Sequence, residues 1–173
     1  MIAWACEIPA ASALDRSLIA AANFRDSYCA PLANPNASVI EIFVAVFGRL
    51  PASMKGLSIV RNRLASLCGL EAPTTSEVVN IENKDSYRVG AKIGPWPIFM
   101  LSKSELIAGR NNKHLDFRVS ALKQSGDGGT CVVISTVCAV HNTFGKVYLF
   151  FIVPFHKWGV QRLMANAVRA SRL

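Results

Sequence analysis

The chain has 173 residues, of which 51% are hydrophobic and 17% charged, and a formal net charge of +8. This composition excludes a disordered chain, and the length suits a single domain, residues 1–173, that buries roughly 70% of its unfolded surface. Positive charge raises the question of nucleic acid, but the basic residues are scattered along the chain, with no lysine run interleaved with aromatics, which argues against it.

Five cysteines, Cys6, Cys29, Cys68, Cys131 and Cys138, are odd in number and form no C-x-x-C, the pattern of reduced thiols in a cytoplasmic protein. The opening MIAWACEIPAA has no basic residue before its apolar stretch, so no secretory signal is expected. The longest apolar stretches, Val147–Phe155 and pieces of Ala37–Phe47, are too short to span a bilayer.

In chain order, a short first strand is expected around Asn23–Tyr28. A helix follows over Asn36–Phe47, opened by Asn36 or Ser38 and closed by Gly48. A second consecutive helix is expected over Pro51–Leu70, where Met54, Leu57, Val60, Leu64 and Leu67 recur at helical spacing and Gly69 ends the run. Ser76–Asn83, Pro97–Leu101 and Glu105–Ala108 read as short strands. GRNNK (Gly109–Lys113) is turn chemistry, and KHLDFRVS (Lys113–Ser120) alternates strictly between polar and apolar residues, as a two-faced strand does. QSGDGG is a further turn, Thr130–Val140 a β-branched strand, HNTFG a third turn and Lys146–Val153 a last strand stopped by Pro154. His156–Arg172 then forms an amphipathic helix with a stripe of Val160, Leu163, Met164, Ala167 and Val168.

Three segments, HLDFRVS (His114–Ser120), HNTFGKVYL (His141–Leu149) and VPFHKWGVQRLM (Val153–Met164), together resemble an uncharacterised bacterial family catalogued as domain of unknown function 2867. Arg49–Leu70 fits its helical region, and the resemblance runs from about Asn23 onward. The element order is similar to that of the START/Bet v 1-like, helix-grip proteins. The expected fold class is therefore α+β: a curved antiparallel sheet around a long C-terminal helix, with two consecutive helices after the first strand and a ligand cavity between sheet and helix. The resemblance implies no reaction.

The candidate ligand-binding residues are Glu105, His114, Asp116, Arg118, Thr136, His141, Tyr148 and His156. His114, Asp116 and Arg118 share a strand face, about 7 Å apart, and read equally as the polar lining of the concave side or as a self-satisfied structural network, with a solvated face as the third reading. Glu105 is expected near Asp116 or Arg118 across the GRNNK hairpin. Thr136 is the lone hydroxyl on an otherwise apolar face shared with Val132, Ile134, Cys138 and Val140. His141 stands at the sheet rim, His156 at a helix start and Tyr148 among aromatics that read first as core, some of which line the cavity if the fold is of helix-grip type. The three histidines show neither HExxH nor H-x-H spacing, so no metal site is expected, and no motif calls for a cofactor.

Three functions fit this pattern. The first is binding of a small hydrophobic or amphipathic molecule in the cavity. The second is a cyclase- or hydratase-like enzyme using His114 and Asp116 as acid and base. The third is a homodimeric interaction protein without a ligand.

Overall fold

A computed structural model describes residues 2–49, 81, 86–126 and 129–173. Its elements are β1 (Trp4–Ala5), α1 (Arg16–Ala21), β2 (Phe24–Pro31), α2 (Val39–Phe47), β3 (Lys92–Ile93), β4 (Trp96–Leu101), β5 (Glu105–Asn111), β6 (Leu115–Gly126), β7 (Gly129–Val140) and α3 (Thr143–Arg169). The seven strands make one antiparallel sheet in the order β1-β2-β7-β6-β5-β4-β3. The fold is α+β, a curved open sheet with a C-terminal helix. Strands β3 to β7 form a meander, and β2 closes beside β7, with Asp26 opposite Thr136 and Tyr28 opposite Ile134.

Period-two alternation gives the sheet two different faces. One face carries Tyr28, Ala30, Leu106, Ala108, Val119, Ala121, Val132 and Ile134. These pack with Ile42, Phe43 and Val46 of α2 and Val160, Leu163, Met164 and Ala167 of α3. The opposite face holds a smaller cluster of Leu14, Ile107 and Val137, joined by Leu18 and Ile19 of α1. Each large apolar side chain so removed from water contributes about 1.5–3 kcal/mol.

Helix α2 starts where a capping box allows it to. The Ser38 hydroxyl accepts from the Glu41 N–H at 3.1 Å, and the Glu41 carboxylate accepts from the Ser38 N–H at 2.7 Å. Gly48 caps its end, as the sequence indicates. The second expected helix, Pro51–Leu70, and the Ser76–Asn83 strand lie outside the described residues, apart from Ile81, which is buried in the core.

The main correction concerns the C-terminal quarter. HNTFG is a helix start rather than a hairpin turn, and Lys146–Val153 is helical rather than a strand. The Asn142 side chain accepts from the Gly145 N–H at 3.1 Å, and α3 then runs 27 residues. Pro154 sits inside it. The helix tolerates Pro154 because both it and Phe150, four residues earlier, are on the exposed side, where water can satisfy the freed carbonyl. The aromatic and β-branched run VYLFFIV has strand-like composition, and a short apolar run does not distinguish strand from buried helix.

Candidate functional site

The polar residues that meet between the sheet and α3 come from three elements. Alternation along β2 puts Phe24, Asp26 and Tyr28 on the helix-facing side, and β7 adds Thr136 and Cys138 beside them. Helix α3 lowers His156 onto this group. His156 Nε2 lies 3.1 Å from the Thr136 hydroxyl and 3.5 Å from Asp26 Oδ1. The Phe24 ring meets the imidazole edge-on, with centroids 5.4 Å apart. The walls are apolar: Leu115 and Cys138 pack with Phe24, Phe117, Tyr148 and Leu149.

Asp26 is the unusual member. Its side chain is only 8% exposed, and its polar neighbours are His156 Nε2 at 3.5 Å and the Tyr28 phenol, with no hydrogen bond of good geometry on either oxygen among the described residues. Two neighbours register the carboxylate and the burial. The Tyr28 phenol is pushed up to about 12, first by burial and then by the nearby Asp26 charge. Burial alone is the main reason the Cys138 thiol is pushed up to about 12, so it stays protonated near neutral pH and is no nucleophile as it stands.

The sequence-predicted residues divide between this site and two other places. Thr136, His156 and Tyr148 lie at the sheet–helix interface, with Tyr148 reaching it from α3. Asp116 and Arg118 do not line the concave side. Val119 of their strand packs into the core under the helices, so the alternating polar set points the other way. There the Arg118 guanidinium sits 3.5 Å over the Phe99 ring and donates to Asn111 Oδ1 at 2.7 Å.

Glu105 does not reach Asp116 or Arg118, because β5 pairs Glu105 with Leu122 and leaves Gly109 opposite Arg118. Its carboxylate instead receives the Ser12 hydroxyl at 2.6 Å, the Ala13 N–H at 2.7 Å and the Ser120 hydroxyl. The His114 and Asp116 pairing is also redrawn. Asp116 meets His141 at 3.2 Å. His114 Nδ1 lies 3.0 Å from the side chain of Asn142, the residue that caps α3, so its polar contact is structural.

Asp26 and Tyr28 were not singled out by sequence. The signal was present in FRDSYCA, where Asp26 interrupts an otherwise apolar set of Phe24, Tyr28 and Ala30 at period two. Among the described residues, no three His, Cys, Asp or Glu side chains converge as a metal site would require.

Residues 18–163 match the model of a family described as a protein of unknown function, DUF2867. The chain belongs to that family. The DUF2867 match takes in β2, β7 and the part of α3 that carries His156, so the sheet–helix site lies wholly inside it. No curated protein and no solved structure matches the chain.

Proposed function

We propose that the protein is a binding domain of helix-grip type. In this reading a small, partly hydrophobic molecule lies between the sheet and α3, with its polar end at Asp26, Thr136 and His156. The observation that supports it most is the Asp26 carboxylate, 8% exposed, with only the 3.5 Å approach of His156 and the neighbouring Tyr28 phenol around it and no hydrogen bond of good geometry on either oxygen among the described residues. A buried carboxylate so sparsely compensated is costly, and folds retain such groups where a ligand or a reaction uses them. A ligand bearing N–H or O–H donors would satisfy both oxygens. Phe24, Leu115 and Tyr148 offer apolar contact to the rest of it. The four described cysteines are unbridged, in keeping with the cytoplasmic setting proposed here.

An acid–base enzyme is the second reading, and the 3.5 Å approach of Asp26 to His156 favours it. A carboxylate beside an imidazole fixes its tautomer and supports proton transfer. In that case the working pair is Asp26 and His156, because His114 and Asp116 have other partners.

Native mass spectrometry of freshly purified protein tests the proposal. The expected result is a co-purifying mass absent from the denatured spectrum and lost in Asp26→Asn. Conversion of that compound on incubation would favour the enzyme. Bare protein at the mass of a dimer would instead favour the interaction reading.

A further inference from the structure

The outer side of α3 carries a second feature, separate from the sheet–helix site. Phe144, Val147, Phe150, Phe151, Phe155 and Trp158 are all exposed, Phe150 to 76%. At 100° per residue they fall within an arc of about 140°, along about 21 Å of the helix axis. The inward arc is occupied by Tyr148, Leu149, His156, Val160, Leu163, Met164 and Ala167, so the aromatic stripe is the face the domain leaves outside. Six large apolar side chains in one row are far more than the single exposed hydrophobics that surfaces normally show.

Charge indicates what covers this face. Helix α3 carries Lys146, Lys157, Arg162 and Arg169 and no Asp or Glu. From Gly129 to Leu173 the sequence contains no acidic residue at all. Lys146 and Lys157 project along one edge of the stripe, and Arg162 lies on the stripe's own bearing, one turn beyond Trp158. We infer that α3 docks the protein on an anionic lipid bilayer, its aromatic stripe lying in the interface and its basic residues facing lipid phosphates. Exposed Phe and Trp beside Lys and Arg, without acids, is the pattern of a helix that lies on a membrane rather than in it. No helix among the described residues is long and apolar enough to cross one.

Sedimentation of the full chain with vesicles tests this. Vesicles of phosphatidylcholine alone are compared with vesicles that also contain phosphatidylglycerol. Wild type should pellet with the anionic vesicles and bind the neutral ones about tenfold more weakly, since electrostatic attraction adds to apolar insertion. Phe150→Glu should lose about tenfold in binding, and Lys146→Glu severalfold, with unchanged melting temperature because both side chains are exposed. Wild type that stays in the supernatant with anionic vesicles overturns the inference. So does Phe150→Glu binding as well as wild type. A wild-type dimer that Phe150→Glu splits into monomers also overturns it, assigning the stripe to a second copy of the chain.

Discussion

Two buried carboxylates stand on opposite faces of one sheet and are treated in opposite ways. Glu105, 2% exposed, has donors converging on both oxygens from Ser12, Ala13 and Ser120. Asp26, less deeply buried with a side chain 8% exposed, has only the 3.5 Å approach of His156 and the Tyr28 phenol beside it. The Glu105 arrangement ties the N-terminal segment to β5 and β6 and places donors on both oxygens. The Asp26 arrangement leaves acceptor capacity open on the side where α3 brings an imidazole. A satisfied buried charge is a device of architecture, and an unsatisfied one points to use.

The contrast is open to direct attack, starting with its strongest side. Glu105→Ala should lower unfolding free energy by about 3 kcal/mol, because it strands two buried hydroxyl donors and the part-buried Ala13 N–H at once; urea denaturation reads this, and a loss under 1 kcal/mol would remove the contrast. Ser120→Ala, which deletes one donor to the same carboxylate, should cost about 2 kcal/mol by the same method.

On the helix-facing side, pH acts through Tyr28. Its phenol is raised to about 12 in the folded state, above about 10 for an unfolded chain, so folding favours the protonated form. The stability it contributes is complete below pH 10 and is lost as pH rises toward 12. Stability should therefore fall by about 1 kcal/mol between pH 9 and pH 11, a decline that Tyr28→Phe reduces. The smallest effect belongs to Thr136→Val, expected within about 1 kcal/mol of wild type in the unliganded protein, because its partner His156 remains partly exposed.

Much of the β-region was legible in the sequence. The alternation of β6, the β-branched run of β7 and the Ser38 cap of α2 are local signals, and local geometry obeys them. The long helix was misread at its start because its cap residue, Asn142, is also turn chemistry, and Pro154 looks like a stop unless its exposed position is known. The site was half legible. Thr136, Tyr148 and His156 could be picked by residue type. Which face of KHLDFRVS turns toward the helices could not, because alternation defines two faces without saying which one the core covers. Asp26 shows in the sequence only as a break in an apolar period-two set; what distinguishes it is how sparsely its carboxylate is compensated, and that depends on β7 and α3, more than a hundred residues downstream.

The central claim is that Asp26 serves a ligand rather than the fold. The most direct measurement is the unfolding free energy of Asp26→Asn against wild type, both refolded from denaturant to remove any bound compound. The account predicts that Asp26→Asn lies within about 1 kcal/mol of wild type, since it removes a poorly compensated buried charge and gives up only the 3.5 Å approach of His156 and the Tyr28 contact. A loss of 2 kcal/mol or more, comparable to the effect expected at Glu105, would contradict it and make Asp26 a structural residue.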